Sequence, residues 1–587
     1  QGFFLWNLLR GLAALVKDIP PLARRDTGTA ARLSSGGGAI SACAPRVLTP
    51  SDVPLAGLGQ VRLDALAGVE DLYPLSPLQQ GLLFHTRLQG AASYVNQLVL
   101  PLSGLDPQRL HGAWRQVFQR HAILRSAFLD GERPLQAVRG TLELPWQACD
   151  WRGEADFDAA LSAFCAADRA AGFDLAEAPL LRLTLVQQGA REHVLVWTLH
   201  HLLLDGWSTA LLLGEVLALY HGEALPAPRG QFRDYIAWLA GRDAAASEAF
   251  CRPLLQRLEG PSRILGCLPC RQPGTGHVRH PLPLAAQEEA ELRGFAQRQG
   301  VTLNSLIQGA WALLLGRLTG KRRVCFGTTV AGRPAELEGS EQLLGLCINS
   351  LPVPIELPAG QAVGEWLRAV QALNLSLREH EHTPLYELQR WAGSAGEGLF
   401  DSLLVFENYP LGDALRQAER GELRLGQPQS HEFTHYPLTL AVLPGERLEL
   451  LLAYDSAHFD GAGIARLDAL LRQILAELCR DAQRPLASLE LLTDGERDQL
   501  EQWNQPREQH DGSRLFPVLF AEQAARRPAA IALVHGAERL SYAELEARSS
   551  QLARLLIERG VGAESRVGVS LERGTGMILA MLGILKA

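Results

Sequence analysis

Blocks of helical and strand-like hydrophobic pattern alternate along most of the chain. In some blocks apolar residues recur every three or four positions, and in others at every second position, with turn residues between the blocks. The pattern predicts helices over 108–120, 157–170, 209–221, 287–298 and 303–318, and strands over 181–187, 193–201 and 323–330. We therefore expect an α/β protein with two lobes of about 200 residues each. No short repeat that would indicate a solenoid or a propeller is present.

Segments rich in Gly, Pro and Ser divide the chain into domains. The stretches 34–38, 45–59 and 503–513 are typical of linkers. In chain order we predict a remnant of a preceding domain over 1–48, a linker over 49–68, a main domain over 69–492 with lobes over 69–245 and 280–492, a linker over 493–515, and a domain fragment over 516–587. The chain begins without Met and ends inside an apolar helical pattern, so we expect both ends to be cut.

Composition excludes several classes of protein. Of 587 residues, 47% are hydrophobic and 20% are charged, and the formal net charge is -8. These values exclude a disordered or collagen-like chain, and a negative charge spread evenly argues against a nucleic-acid partner. Arg10 and Lys17 interrupt the apolar start well short of the roughly 20 residues that cross a bilayer, so neither a signal peptide nor a membrane partner is expected.

Cysteine usage points to a reducing compartment. Nine cysteines are scattered from Cys43 to Cys479, which is not a disulfide framework, and the cytoplasm is the expected location. Cys267 and Cys270 form a Cys-x-x-Cys pair, but no second ligand pair lies at zinc spacing. We therefore interpret them as two small apolar side chains and predict no metal site.

The segment 194–208 carries the most chemical information. An apolar strand ends there in His200 and His201, and the chain breaks at Asp205 and Gly206 before a helix. Because side chains alternate along a strand, only one of the two histidines can face a given cavity. Adjacent strand residues that point apart, without a third ligand at motif spacing, are a poor zinc site.

Two interpretations of this segment remain open on spacing alone. In the first it is a buried strand end followed by a turn, with Ser208 capping the next helix. In the second, His201 accepts or relays a proton near neutral pH, and the carboxylate of Asp205 fixes the loop or the ring.

The order His-His-x-x-x-Asp-Gly resembles the signature of the condensation domains of nonribosomal peptide synthetases. Further motifs of that family are matched in order by Tyr73–His85, Arg120–Phe128, Phe232–Trp238, Val330–Pro334, Leu344–Pro352, His382–Glu387 and Phe433–Leu438. The family's fold resembles a chloramphenicol acetyltransferase duplicated into two lobes. The resemblance therefore implies two such lobes that form a V around a central tunnel.

The resemblance also implies roles for individual residues. His201, His200, Asp205 and Gly206 would form the catalytic motif, with His201 handling a proton, stabilising a charged intermediate or positioning an amine. Gly206 has no Cβ, so its backbone can approach a thioester closely. A buried carboxylate needs a partner, and we predict that Asp205 pairs with Arg333 from the other lobe. Structural support is expected from Arg125 as well, and the substrate channel is expected to include Trp207, Ser208, Asn349, Ser76 and Gln80.

The implied reaction is attack by the amine of an acceptor aminoacyl group on the thioester of a donor peptidyl or aminoacyl group. Both reactants would be carried on phosphopantetheine arms of upstream and downstream carrier domains, next to an adjacent adenylation domain, with no tightly bound cofactor. Three alternatives are an epimerisation domain of the same fold, an acetyltransferase that uses free coenzyme A, and a non-catalytic docking platform. The intact double histidine argues against the last.

Some motif variants resemble the subgroup that accepts a D-configured donor. Residues 434–438 read Thr-His-Tyr-Pro-Leu, where domains with an L-configured donor commonly have Ser-Arg-Asn-Pro-Leu. Residues 76–80 read Ser-Pro-Leu-Gln-Gln, and Leu48–Ala56 resembles the tail that follows an epimerisation domain. Ala122 stands where the family's second motif commonly has Glu.

Beyond the second linker, Leu540–Leu545 and Gly574–Ala587 resemble the opening of an adenylation domain. The Gly/Thr/Ser-rich loop that would hold ATP through backbone N–H groups is absent. We therefore expect no amino-acid activation by this fragment.

Overall fold

The fold is known from a computed structural model. It describes residues 48–66, 68–394, 398–408, 420–432, 434–445, 447–505 and 512–587. The chain divides into two compact units, the first ending at Leu489 and the second beginning at Glu490. This boundary lies close to the predicted end of the main domain at residue 492. Apart from Leu48, the predicted remnant over 1–48 lies outside the described residues.

The first lobe contains two sheets. Its strands are β1 (Val69–Pro74), β2 (Val95–Ser103), β3 (Ser126–Leu129), β4 (Leu135–Arg139), β5 (Trp146–Asp150), β6 (Leu181–Gln187) and β7 (Glu192–His200). A small antiparallel sheet has the order β1-β4-β3, and a larger one includes the order β2-β7-β6-β5. In β7 every residue after Glu192 is buried, as expected of a central strand covered on both faces.

Amphipathic helices cover the sheets of this lobe. They are α1 (Gln60–Asp64), α2 (Pro77–Gln89), α3 (Pro107–Arg120), α4 (Phe157–Ala171), α5 (Gly206–Tyr220), α6 (Phe232–Ala240) and α7 (Ala244–Leu255). In α3, for example, Leu110, Trp114 and Val117 recur at helical spacing and are buried. The predicted helix over 209–221 begins three residues earlier than expected, at Gly206.

The second lobe is built on one mixed sheet. Its strands are β8 (His277–Pro283), β9 (Arg323–Val330), β10 (Asn349–Glu356), β11 (Ser402–Phe406), β14 (Leu438–Pro444) and β15 (Leu448–Asp455). Two short strands of this part of the chain, β12 (Arg424–Leu425) and β13 (Gln429–His431), belong to a sheet of the first lobe. The sheet has the order β10-β9-β11-β14-β15-β8, and β11 runs parallel to both of its neighbours. The helices are α8 (Ala286–Gln299), α9 (Leu303–Thr319), α10 (Val363–Arg378), α11 (Leu385–Trp391) and α12 (Gly461–Arg480). The predicted α/β fold with two lobes is confirmed.

One segment of the second lobe crosses to the first. In this crossover segment, residues 420–432, the short strands β12 and β13 both pair antiparallel with β2. Ion pairs join Arg191 to Glu422 and Arg420 to Glu223. The crossover segment therefore brings residues that follow β11 in sequence over the sheet of the first lobe.

The stretch predicted as a linker over 49–68 packs as part of the first unit. Leu48, Val53, Ala56 and Leu63 form an apolar cluster with Leu72 of β1 and other residues of the small sheet. Its Pro and Gly residues mark a single turn of 3₁₀-helix over Pro54–Ala56, which ends at Gly57 with φ 65°. These residues mark a turn rather than an unpacked linker, so the structure differs here from the prediction.

The second unit contains a hairpin and four helices among its described residues. They are α13 (Asp494–Asn504), α14 (Phe516–Arg526), β16 (Ile531–His535), β17 (Glu538–Ser541), α15 (Tyr542–Glu558) and α16 (Thr575–Lys586). Helix α13 lies within the predicted linker over 493–515. Thr493 and Glu496 close a reciprocal capping box at its start, which explains a helix in a segment of mostly polar residues.

Candidate active site

His201 lies one residue beyond β7, in the turn that leads to α5. Its Nδ1 is 2.9 Å from the carbonyl oxygen of Leu204, and its backbone N–H donates to the carbonyl of Tyr94 at 2.8 Å. A carbonyl can only accept a hydrogen bond, so in the neutral ring Nδ1 carries the proton and Nε2 keeps its lone pair. No hydrogen bond to Nε2 is found within the described part of the chain. The turn therefore presents a proton acceptor.

His200 is fully buried and has a different environment. Its Nδ1 accepts a hydrogen bond from the backbone N–H of Leu202 at 3.2 Å, and its Nε2 lies 3.4 Å from the hydroxyl of Thr86. Burial, together with the neighbouring His201, lowers the pKa of His200 to about 3. The ring is therefore neutral and packs below the turn, so the structure gives it a supporting position.

Asp205 caps helix α5. Its Oδ1 accepts a hydrogen bond from the backbone N–H of Ser208 at 2.8 Å, while the backbone of Asp205 is extended. The expectation that Ser208 caps this helix is wrong, because Ser208 is already the third helical residue. The cap fixes the turn that holds His201.

Asp205 also forms the predicted ion pair with Arg333 of the second lobe. Two guanidinium nitrogens each donate to a carboxylate oxygen at 3.0 Å, and the backbone N–H of Cys347 donates to Oδ2 at 3.0 Å. The side chain of Asp205 is 0% exposed and that of Arg333 is 6% exposed. The prediction of this pair is confirmed, and both charges are satisfied by bidentate geometry.

Ser208 completes the contact between the lobes. Its hydroxyl donates to the carbonyl of Gly345 at 2.8 Å and accepts from the backbone N–H of Gly345 at 3.1 Å and from Arg333 at 2.9 Å. Gly332 is required nearby, since its φ is 60° and a Cβ there would lie 1.8 Å from the carbonyl oxygen of Cys347. The start of α5 is thus held by a loop of the other lobe.

A cavity lies between the two lobes next to this turn. Its empty volume is about 1040 Å³, part of it open to solvent. The first lobe contributes His201, Gly206, Tyr94 and Asn96 together with apolar residues of α2. The other wall is one face of the second-lobe sheet and the chain around the crossover segment, and its residues are His277, Arg279, Thr329, Ile348, Ser350, Leu403, Val405, Glu407, Glu432, Thr434, His435, Tyr436, Thr439, Ala441, Leu451 and Ala453.

The residues predicted for the substrate channel lie elsewhere. Trp207 donates from its indole to the carbonyl of Glu341 at 3.0 Å, and Asn349 donates to the carbonyls of Glu381 and Thr383. Ser76 caps α2, Gln80 donates to the carbonyl of Leu75, and Ser208 is occupied as described above. None of these five lies in the wall of the cavity beside His201, and Gln80 instead lines a second cavity with residues of α6, α7 and α11.

Arg125 occupies a structural position in the first lobe. It is buried, pairs with Glu70 at 2.7 Å, and donates to the carbonyls of Arg139 and Gly140. These contacts join the short helix after α3 to strands β1 and β4. This position is consistent with the supporting role that the sequence predicts.

Sequence reasoning missed several polar residues in the cavity wall. The imidazole of His435 stacks on that of His85, with ring centroids 4.5 Å apart. His435 is exposed as a whole residue, but desolvation of its ring in the cavity wall, followed by the neighbouring His85, lowers its pKa, so the ring is neutral near pH 7. Asn96 lies in β2, and Tyr94 lies immediately before that strand with φ 56°. Glu407 reaches the cavity through the pairing of β11 with β14, which local pattern does not reveal, whereas His435 is recognised in the sequence only as part of a motif variant.

Metal-binding clusters and membrane-spanning helices are both absent from the described residues. These residues contain no group of three or more His, Cys, Asp or Glu side chains arranged to hold a metal ion. In the same part of the chain, no helix is both long and apolar enough to cross a membrane.

Comparison with known proteins identifies the family. The family model described as "Condensation domain" matches residues 69–501, which is most of the chain. The chain belongs to the condensation-domain family. A second model, described as "AMP-binding enzyme", matches residues 520–587. Condensation domains are the acyltransferase-type, amide-bond-forming domains of nonribosomal peptide synthetases, and the second match is the expected start of an adenylation domain.

The condensation domain and its flanks resemble several peptide synthetases. A linear gramicidin synthase protein of Brevibacillus parabrevis is 40% identical over 92% of this chain. Chondramide synthase of Chondromyces crocatus is 35% identical over 92%, and tyrocidine synthase 2 of Brevibacillus parabrevis is 31% identical over 88%. The chain spans 11%, 16% and 15% of the lengths of these three relatives, respectively.

Solved structures show the same fold. A four-domain nonribosomal peptide synthetase bound to AMP and glycine has a TM-score of 0.65 at 20% identity, and the match covers 88% of this chain and 41% of that one. The condensation domain of the monacolin K polyketide synthase has a TM-score of 0.62 at 20% identity, over 72% of this chain and all of that one. At these identities the likeness establishes the fold alone.

Proposed function

We propose that this condensation domain joins two carrier-bound reactants by an amide bond. The amine of an acceptor aminoacyl thioester attacks the carbonyl carbon of a donor thioester. A C–N bond forms, the C–S bond of the donor breaks, and the thiol of the donor arm leaves with the proton that the amine gives up. The arms are phosphopantetheine groups of upstream and downstream carrier domains, and an adjacent adenylation domain is a further partner.

The observation that carries this proposal is the environment of His201. Its Nδ1–H is committed to the carbonyl of Leu204, which leaves the lone pair of Nε2 free beside a cavity shared by both lobes. Such an imidazole can accept the proton of an attacking amine. A thioester is already activated, so bringing amine and carbonyl together in line supplies most of the acceleration.

Asp205 and Gly206 have supporting parts in this proposal. Asp205 is enclosed by Arg333, Ser208 and the backbone of Cys347, and therefore holds the turn rather than contacting a reactant. Gly206 lines the cavity as the first residue of α5, where a backbone without Cβ lets the thioester approach closely.

We propose further that the donor residue is D-configured. The motif variants support this assignment, and His435, which stands at the variable position of the last motif, lines the cavity that holds His201. A residue in the wall next to the reacting centre can favour one arrangement around the donor α-carbon through its shape.

The test is reconstitution with two separate carrier proteins. One is loaded with a D- or L-configured donor and the other with an acceptor, and the carrier-bound product is weighed by mass spectrometry. We expect a dipeptide on the acceptor carrier, more from the D donor, and a fall of at least about 100-fold with His201→Ala. Product at the wild-type rate with His201→Ala would contradict the role of His201.

The same assay separates the alternatives. Exchange of the donor α-proton without a dipeptide would indicate an epimerisation domain. Product formed when carriers are replaced by free coenzyme A thioesters would indicate an acetyltransferase-like enzyme. Binding of carriers without any product would indicate a docking platform.

A further inference from the structure

Glu407 extends a row of cavity-facing residues on the second-lobe sheet. Its backbone N–H donates to the carbonyl of Val442 at 2.8 Å, so the pairing of β11 with β14 continues one residue beyond the strand. Leu403, Val405 and Glu407 alternate along β11 and its extension, and all three line the cavity that holds His201. Two apolar positions are thus followed by a carboxylate in the same wall.

The carboxylate of Glu407 has no protein partner in the described ranges, where neither a hydrogen bond nor an ion pair reaches its oxygens. The charged groups that interact with it electrostatically are Glu432 and Arg279, which also line the cavity. Arg279 donates to the carbonyl of Ser430 at 2.8 Å and so is directed partly towards the crossover segment. Two carboxyl groups therefore face this part of the cavity with one guanidinium.

Glu407 is half-buried in the cavity wall, and desolvation there makes its charged form costly. Burial, followed by the like charge of Glu432, raises the pKa of Glu407 to about 7, and Arg279 opposes the shift. An unpaired carboxylate at low dielectric gains much when a cation or a strong hydrogen-bond donor arrives. The wall therefore has a position suited to a positively charged group.

Resting on the function proposed above, we propose that Glu407 selects a reactant whose side chain carries a primary ammonium group. The apolar residues Leu403 and Val405 would contact the methylene stem of that side chain, and the ammonium would pair with Glu407. Either the donor or the acceptor residue can supply this side chain, since both meet in the same cavity. A site built around one buried polar partner discriminates strongly against an analogue that lacks the matching group.

The experiment compares ornithine with its neutral analogue norvaline. Each is presented as donor with an alanyl acceptor and as acceptor with an alanyl donor, on separate carriers. We expect the wild-type domain to prefer ornithine by about tenfold or more in kcat/KM in one of the two positions, since a charge-assisted hydrogen bond is formed. The position in which the preference occurs identifies the reactant that Glu407 contacts.

Two variants complete the test. Glu407→Gln should bring the preference close to one by lowering the ornithine rate relative to the norvaline rate, and circular dichroism checks that the variant is folded. Glu449→Gln, the same change at an exposed residue of β15 outside the cavity wall, should leave the preference unchanged. Equal rates for ornithine and norvaline in both positions with the wild-type domain would overturn the inference without any variant. Absence of product from every pair would instead contradict the proposed function.

Discussion

Asp205 and Arg333 are 128 residues apart in sequence, yet they form a buried bidentate ion pair between the lobes. The same carboxylate caps helix α5 and accepts from the backbone of Cys347, so one side chain joins the turn of His201 to the loop of the second lobe. Removing either partner leaves the other charge buried without compensation.

We predict that Asp205→Asn lowers the free energy of unfolding by about 3–5 kcal/mol, because Arg333 stays buried without its counter-charge. Chemical denaturation of the condensation domain measures this loss. Combining Asp205→Asn with Arg333→Met should cost less than the sum of the single changes. Glu356→Gln, which removes an exposed partner of Arg323, is the control and should change stability little. Additive single and double losses would contradict the coupling.

The pairing of Asp205 with Arg333 is one of the features that can be predicted from the sequence. The pair is predictable because a buried carboxylate requires a partner, and the predicted strands over 181–187 and 323–330 have their observed bounds because their apolar patterns are strong. Ser208 and Asn349, which the sequence predicts for the channel, bond to distant backbone groups and do not line the cavity beside His201, and local sequence does not show those bonds. Glu407 escapes prediction because it reaches the cavity through the pairing of β11 with β14, and His435 is recognised in the sequence only as part of a motif variant.

A second prediction concerns the crossover segment and Gly104. This glycine has φ 67°, and a Cβ there would lie 2.0 Å from the carbonyl oxygen of Glu422. Gly104→Ala should therefore displace β12 from β2 and lower the free energy of unfolding by about 1–3 kcal/mol. It should also raise KM for the carrier-bound reactants, because the crossover segment forms part of the cavity wall. Thermal unfolding and steady-state kinetics measure both effects.

The matched control for Gly104 is Gly112. It lies inside helix α3 with no atom within 4 Å of an added Cβ, so Gly112→Ala should be neutral or stabilise the domain by about 0.5–1 kcal/mol. If both alanine variants behave alike, the close approach of Gly104 to Glu422 does not hold the crossover segment.

A third prediction tests His435 as a determinant of donor configuration. Because His435 lines the cavity and stacks on His85, His435→Ala enlarges the cavity without removing a charge. We expect the ratio of rates for D and L donors to fall by about five- to tenfold, as for other small changes in pocket shape. His458→Ala, at an exposed histidine outside the cavity wall, is the control. An unchanged ratio with His435→Ala would remove His435 from the stereochemical proposal.

A fourth prediction follows from the lowered pKa of His200. Its pKa is about 3 in the folded domain against an ordinary value of 6.5, so below pH 6.5 the unfolded chain binds a proton that the folded domain does not. The contribution of neutral His200 to stability is complete above pH 6.5 and is lost as the pH falls towards 3. One such group gives a slope of up to about 1.4 kcal/mol per pH unit.

The free energy of unfolding of the wild type should therefore fall between pH 7 and pH 5. In His200→Gln that fall should be shallower by about the slope of one proton, although the variant is less stable at pH 7. Parallel slopes in the two proteins, measured by denaturation at each pH, would mean that His200 is protonated in the folded domain as readily as in the unfolded chain.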